Sequence, residues 1–412
     1  MKLVEKHIIN KSNPLWKKLD SLCFQSKNLY NATLYQIRQH FFESGKYLNY
    51  NTIQKKFQNE KQADYYCLPT KVSQQIMIIV DRNFKSFFEV NKKYRENSSL
   101  TKPNIPNYKD KAKGRNILVY SLQSMYKKDL KKGKIRLSGT DFSLNTKINV
   151  WYKNGISNIK QVRIIVRATC YVIEIVYQKE IEIKEVNKNY IAGIDIGLNN
   201  LATVTSNQIN PFMINGRALK SINQYFNKKK ALLMSYIDCK GKSKRLDKLL
   251  HKRNNKISDY LHKSSRLIID ELMKNKVGVL IIGKNKQWKH NIQLGKRNNQ
   301  NFVSIPHAEF INQLKYKAKL SGIEVIITEE SYTSKCSFLD NEEIKKHETY
   351  KGKRIFRGLF RSNNGQLINS DVNGSLNIIR KVVPNAFADG IEAVVVRPVR
   401  RNPDKIKYYK IQ

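Results

Sequence analysis

The chain has 412 residues, 77 of them Lys or Arg and 33 Asp or Glu, for a formal net charge of +44, and 40% are hydrophobic. That length allows two or three domains with cores of their own, and a folded body carrying so much like charge repels itself unless a polyanion covers it. The basic residues run the whole length, which sets aside a single membrane-surface helix and points to nucleic acid.

The N-terminal half reads first as strand, then helix, then strand. Met1 to Asn10 mixes Lys, Glu and His with short apolar pieces, so it predicts a strand over 2–10 and no signal peptide. Asn13-Pro14 opens a helix carrying Leu15, Leu19, Leu22, Leu29, Ile37 and Phe41, with Gly45 as its stop. A second helix follows Pro69-Thr70, with the stripe Val72, Ile76, Ile79, Asn83, Phe87 and Val90. Residues 101–115 hold Pro103 and Pro106, then Tyr108, Lys109, Lys111 and Lys113, a basic extended loop. Strand-like segments follow at 134–137, 148–152, 161–168 and 171–177, the last two reading as a hairpin around Thr169-Cys170. With the N-terminal strand they make one barrel-like unit, residues 1–10 and 99–185, into which a helical domain, 11–98, is inserted. Charged residues 180–188 lack apolar periodicity and mark a domain boundary.

From Tyr190 the rhythm is α/β, over 186–412. Residues 191–196, 277–282 and 323–328 read as buried strands. Residues 222–274 read as two basic helices broken near Gly241, another helix starts at Pro306 and ends near Gly322, and a last one runs from Asp371 to Ile379. No apolar run approaches the ~20 residues that span a bilayer. The five cysteines are scattered and never spaced as CxxC. Neither a disulfide framework nor an all-cysteine zinc site is expected from them. A reducing cytoplasm, alongside a bacterial nucleoid, fits.

The chemistry lies in two segments. In Gly193-Ile194-Asp195-Ile196-Gly197-Leu198-Asn199-Asn200-Leu201-Ala202, an acid sits inside an apolar strand before a tight turn. A buried carboxylate is costly without a cation beside it, and nucleases that use two divalent ions need carboxylates converging on them. In Asn369-Ser370-Asp371-Val372-Asn373-Gly374-Ser375-Leu376-Asn377-Ile378, Ser370 or Asp371 reads on its own as a helix N-cap. Paired with the Asp195 strand, Asp371 becomes a second candidate metal ligand.

These residues resemble the TnpB family, transposon-encoded RNA-guided nucleases. G-I-D-I-G-L-N-N-L-A-T-V is similar to its first RuvC motif and S-D-V-N-G-S-L-N-I to its third, usually D-x-N-A-A-x-N-I. His262-Lys263-Ser264-Ser265, Tyr316-Lys317-Ala318, Tyr332-Thr333-Ser334-Lys335-Cys336-Ser337 and the loop P-N-I-P-N-Y-K-D-K also match. The resemblance implies an α/β plus β-barrel architecture: an N-terminal wedge β-barrel with a helical recognition insertion, and a C-terminal RNase H/RuvC-like domain. It further implies a magnesium- or manganese-dependent endonuclease whose partners are a guide RNA from the transposon end and target DNA, with monomer or dimer left open.

Two departures stand out. The usual second-motif Glu falls at Gly283 or Lys284. Glu329 and Glu330, at the end of the next strand, are the candidates to replace it. Alternation sends them to opposite faces, and Glu330 is preferred on motif position. The usual four-cysteine ribbon is reduced to Cys336, so no zinc is expected, and about 337–369 is a degenerate insertion whose Lys345, Lys346, Lys351, Lys353, Arg354, Arg357 and Arg361 face backbone phosphate or water. The expected catalytic and metal-binding set is Asp195, Glu330 and Asp371. The expected nucleic-acid contacts are Tyr108, Lys109, Lys111, Lys263, Lys284, Lys286, Trp288 and Lys335, with Trp288 either stacking on a base or packing into the core. A guided binder that does not cut is the competing reading, ahead of a strand transferase or a packing protein.

Overall fold

The computed structural model describes residues 1–97, 101–153, 156–181, 185–237, 243–285, 295–388 and 396–405. It divides into two compact units, Met1–Glu180 and Ile181–Gln412.

In the first unit an antiparallel sheet takes the order Lys2–Ile9, Tyr171–Gln178, Ile159–Val166, Leu118–Ser121. The hairpin closes through Arg167 N–H to the Cys170 carbonyl, 2.9 Å. Among the described residues this sheet is open, and the other strands form two separate two-stranded ribbons. Backbone pairing alone does not make the barrel expected from the sequence. Tyr152–Lys153 is a two-residue strand, so most of the predicted 148–152 strand pairs with no strand among the described residues.

The helix Leu15–Ser44 begins where Asn13 Oδ1 accepts from Leu15 N–H (2.9 Å) and ends at Gly45 in the left-handed region, φ 66°. Tyr50–Asn59 is a helix the sequence reading passed over, because only Ile53 and Phe57 are buried on it. The long helix Thr70–Glu96 buries Val72, Ile76, Met77, Val80 and Phe84. The expected stripe through Ile79, Phe87 and Val90 lies at its edge or in water. Apolar residues occupy two helical faces here, and packing against Leu15–Ser44 selects one. Helices and sheet share one hydrophobic core.

The second unit is built on a six-stranded sheet in the order Glu324–Thr328, Val277–Gly283, Asn187–Asp195, Asn200–Ser206, Phe212–Asn215, Val399–Arg401. The third to fifth of these form an antiparallel meander. The Val277–Gly283 strand runs parallel to Asn187–Asp195, and Glu324–Thr328 runs parallel to it in turn. The helices Lys244–Lys274 and His307–Leu320 cover one face through Leu261, Ile268, Leu272, Phe310 and Leu314. The helix Ser370–Val382 covers the other through Ile378 and Ile379. The first basic helix starts at Arg217 rather than Ile222, and the predicted break near Gly241 lies outside the described residues. Between Cys336 and Asn369 a small sheet of Lys353–Phe356, Leu359–Arg361 and Leu367–Asn369 packs Phe360 and Ile368 against Phe338, Val372 and Leu376. Among the described residues no helix is long and apolar enough to cross a membrane.

Candidate active site

Strand alternation sets which side chains meet. Ala192, Ile194 and Ile196 enter the core beneath the long helices, whereas Ile191 joins Ile378 and Ile379 on the opposite face. Gly193 and Asp195 share the parity of Ile191, so they face the Ser370–Val382 helix. Gly193 permits the close approach: a Cβ there would stand 2.6 Å from Ile379 Cγ1 and 2.8 Å from the Ser375 carbonyl. Ser375 Oγ uses that closeness, lying 3.0 Å from the Gly193 carbonyl and 2.8 Å from Thr205 Oγ1. Gly374 lies against the acid itself, since a Cβ at 374 would be 3.1 Å from Asp195 Oδ2.

Asn369 caps this helix. Its Oδ1 accepts from the N–H groups of Asp371 (3.0 Å) and Val372 (3.3 Å). The capping role read for Ser370 or Asp371 is thereby corrected: the residue before them, in extended conformation, takes the orphan donors. The Asp371 carboxylate is free for other work, and its Oδ2 accepts from Asn200 Nδ2 at 2.8 Å.

Thr328 ends its strand opposite Gly283. Two residues on, Glu330 N–H donates to Asn285 Oδ1 (3.0 Å), and Glu330 Oε1 accepts from Asn285 Nδ2 (3.3 Å). Among the described residues Glu330 Oε2 is buried without a hydrogen-bond partner. It lies 2.8 Å from where a Gly283 Cβ would be. Glu329 is exposed, its carboxylate accepting from Ser331 Oγ. Of the two glutamates, Glu330 alone turns toward the end of the Gly283 strand. A glycine at 283 leaves the space that this carboxylate fills from the neighbouring strand.

The electrostatics tie the three acids together. Asp195 is densely surrounded although half-buried by accessible surface. Burial, then the negative charges of Glu330 and Asp371, hold its pKa well above the usual carboxylate range, partly opposed by Arg354. Burial pushes Glu330 up to about 7. Crowded, oxygen-only donors with one orphaned oxygen fit a hard divalent cation. Among the described residues, though, no three acid, His or Cys side chains converge as a formed metal cage. The trio is loose, and a cation would have Asp195, Glu330 and Asp371 as its holders.

Two asparagines of the third motif, whose roles the sequence reading missed, brace the segment after Glu330. Asn373 Nδ2 donates to the Cys336 carbonyl (2.9 Å), and its Oδ1 accepts from Phe338 N–H (2.9 Å). Asn377 Nδ2 donates to the carbonyls of Thr333 (2.9 Å) and Cys336 (2.8 Å). Their four-residue spacing on a helix puts both on one face, which was the available signal. In the degenerate insertion, buried Glu342 accepts from Ser337 N–H (2.7 Å) and Lys351 N–H (2.9 Å), closing the loop between them.

The expected nucleic-acid contacts fare unevenly. Tyr108 is exposed with the Arg38 guanidinium 5.0 Å from its ring. Lys109 is half-buried over Tyr30, its backbone held by Asn31. Lys111, Lys284 and Lys335 are exposed. Lys263 instead bridges Asp259 (2.6 Å) and Asp404 (3.2 Å), while Ser264 and Ser265 beside it are buried. Lys286 and Trp288 lie outside the described residues.

Within the second unit, the first five strands in chain order stand in the sheet as third, second, first, fourth and fifth, with acids gathered at one end beside a helix. This sheet order, with helices on both faces, is that of an RNase H/RuvC-like fold. Two family models match: OrfB_IS605, described as "Probable transposase", over residues 174–289, and "Cas12f1-like, TNB domain" over 307–378. A TnpB-like protein, ORF457 of Acidianus two-tailed virus, is 24% identical over 89% of this chain and 84% of its own length. The solved Cas12f1-sgRNA-target DNA complex contains a chain of similar fold, with TM-score 0.51 and 15% identity, over 88% of this chain and 83% of that one. These matches support a TnpB-like protein.

Proposed function

We propose that the protein is an RNA-guided DNA endonuclease that hydrolyses phosphodiester bonds at Asp195, Glu330 and Asp371. The observation that carries this reading is the gathering of those acids at one end of the sheet, with Glu330 Oε2 buried and unpaired beside Gly283. A bound Mg²⁺ or Mn²⁺ would supply an activated water and charge neutralisation at the leaving oxygen. The chain's own residues do the positioning: Asn200 aims Asp371, Asn285 orients Glu330, and Gly374 gives Asp195 room. The Lys and Arg excess suits a guide RNA from the transposon end together with target DNA. The first unit, as a wedge with a helical recognition part, would hold part of that nucleic acid, with Tyr108, Lys109 and Lys111 among its contacts. Lys284 and Lys335, exposed near the acids in sequence, would meet backbone phosphate.

A guided binder without cleavage is the second reading. It is favoured by Gly283 standing at the usual glutamate position and by the absence of a closed ligand trio among the described residues. To decide, the protein is purified with its RNA, the RNA is sequenced, and matched DNA is supplied with Mg²⁺. Cutting by the parent, and guided binding without cutting by Asp195→Ala and Asp371→Ala, is the expected result. A parent that binds matched DNA and never cuts it in Mg²⁺ or Mn²⁺ hands the case to the binder.

A further inference from the structure

We propose that Asn200 is a positioning residue of the cation site: its Nδ2 aims the Asp371 carboxylate, and its Oδ1 is presented to the cation or to a water the cation holds. The inference rests on the nuclease reading. Asn200 Nδ2 donates to Asp371 Oδ2 at 2.8 Å, so the amide nitrogen faces the acid. That leaves Asn200 Oδ1 turned away from Asp371, buried and without a donor among the described residues. A buried carbonyl oxygen left unpaired is costly unless something absent from the bare chain satisfies it. Two such orphan oxygens are Asn200 Oδ1, on the residue that holds Asp371, and Glu330 Oε2, on the residue whose charge acts with that of Asp371 on Asp195. Amide carbonyls and carboxylates are the oxygen ligands that hard divalent cations accept.

The backbone holds Asn200 in place. A Cβ on Gly197 would stand 2.7 Å from the Asn200 carbonyl, so the turn closes only on glycine. Gly216 N–H donates to the Asn199 carbonyl (2.8 Å), and Lys220 Nζ donates to Asn199 Oδ1 (2.9 Å). Of the adjacent asparagines, Asn199 is spent on Lys220, and Asn200 alone reaches the acid of the opposing helix. From Asn200 the chain enters the strand that pairs with the Asp195 strand, Thr203 opposite Asp195.

The test is a Mn²⁺ titration of the full-length protein with its bound RNA, read by calorimetry. The Asp195→Ala complex serves as the blank for ions held by RNA. Asn200→Ala is expected to weaken the Asp195-dependent site about tenfold or more, the usual effect of losing an outer-shell partner. Asn200→Asp separates positioning from mere packing. It keeps oxygens for the cation but loses the donor to Asp371 and adds a like charge. Its metal-free melting temperature should fall, and Mn²⁺ should raise it by more than it raises the parent's. A purely structural role would instead lower both variants equally with and without Mn²⁺. Parent affinity in Asn200→Ala, with a clear difference between parent and Asp195→Ala, overturns this inference alone. Parent and Asp195→Ala titrating identically overturns it together with the nuclease reading.

Discussion

Glu330 should destabilise the metal-free protein at neutral and alkaline pH, and Glu330→Gln should relieve that. Its pKa rises from an ordinary 4.5 to about 7 because the carboxyl is buried. The folded state therefore holds its proton more tightly than the unfolded chain does. The stability associated with the protonated form is fully present below pH 4.5 and is lost as pH rises through 7. At ~1.4 kcal/mol per tenfold, the loss has an upper limit on the order of 3 kcal/mol. The assay is urea unfolding of chelator-treated protein at pH 5 and pH 8.5, comparing parent with Glu330→Gln. The parent should lose up to about 3 kcal/mol more than the variant over that interval. Adding Mg²⁺ at pH 8.5 should recover stability in the parent and little in the variant, since a ligand of the folded state alone stabilises it by mass action. Identical pH dependence in the two proteins would refute the claim that Glu330 is a buried, uncompensated carboxyl.

Three further outcomes follow from the same packing. Gly283→Ala forces a Cβ to within 2.6 Å of Ile378 Cδ1 and 2.8 Å of Glu330 Oε2; thermal melts should show a loss of about 1–3 kcal/mol, and Mn²⁺ titration a weaker site. Asn377→Ala removes the donor to the buried Thr333 carbonyl, while the Cys336 carbonyl keeps its bond from Asn373, so denaturation should report a loss of about 1–3 kcal/mol, with slower cutting as the segment after Glu330 loosens. Glu342→Ala frees the N–H groups of Ser337 and Lys351, and limited proteolysis should then cleave between 337 and 351 sooner than in the parent.

The Asp195 strand and the Asp371 helix were legible because an acid within an apolar run, and a polar-small-polar run entering an apolar helix, are both local signals. Relocation of the second-motif glutamate was legible only as a choice between Glu329 and Glu330; the void at Gly283 that distinguishes them exists only once two strands lie side by side. Asn200–Ser206 was missed as a strand because Leu201 to Ser206 are all buried, leaving no alternation to read. Phe212–Asn215 and Val399–Arg401 are too short to register alone: the first is held by Asn200–Ser206 and by the second, and the second pairs with the first. The motif at Lys263 suggests a phosphate contact, yet Asp259, four residues earlier, offers a partner on the same helix face. Its second partner, Asp404, is remote in sequence and invisible there.

If Asp195, Glu330 and Asp371 jointly hold the cation that makes cutting possible, anomalous diffraction from crystals grown with Mn²⁺ will show a manganese peak coordinated by oxygens of all three residues. Manganese bound elsewhere, or at Asp195 and Asp371 with Glu330 turned away from it, would contradict it.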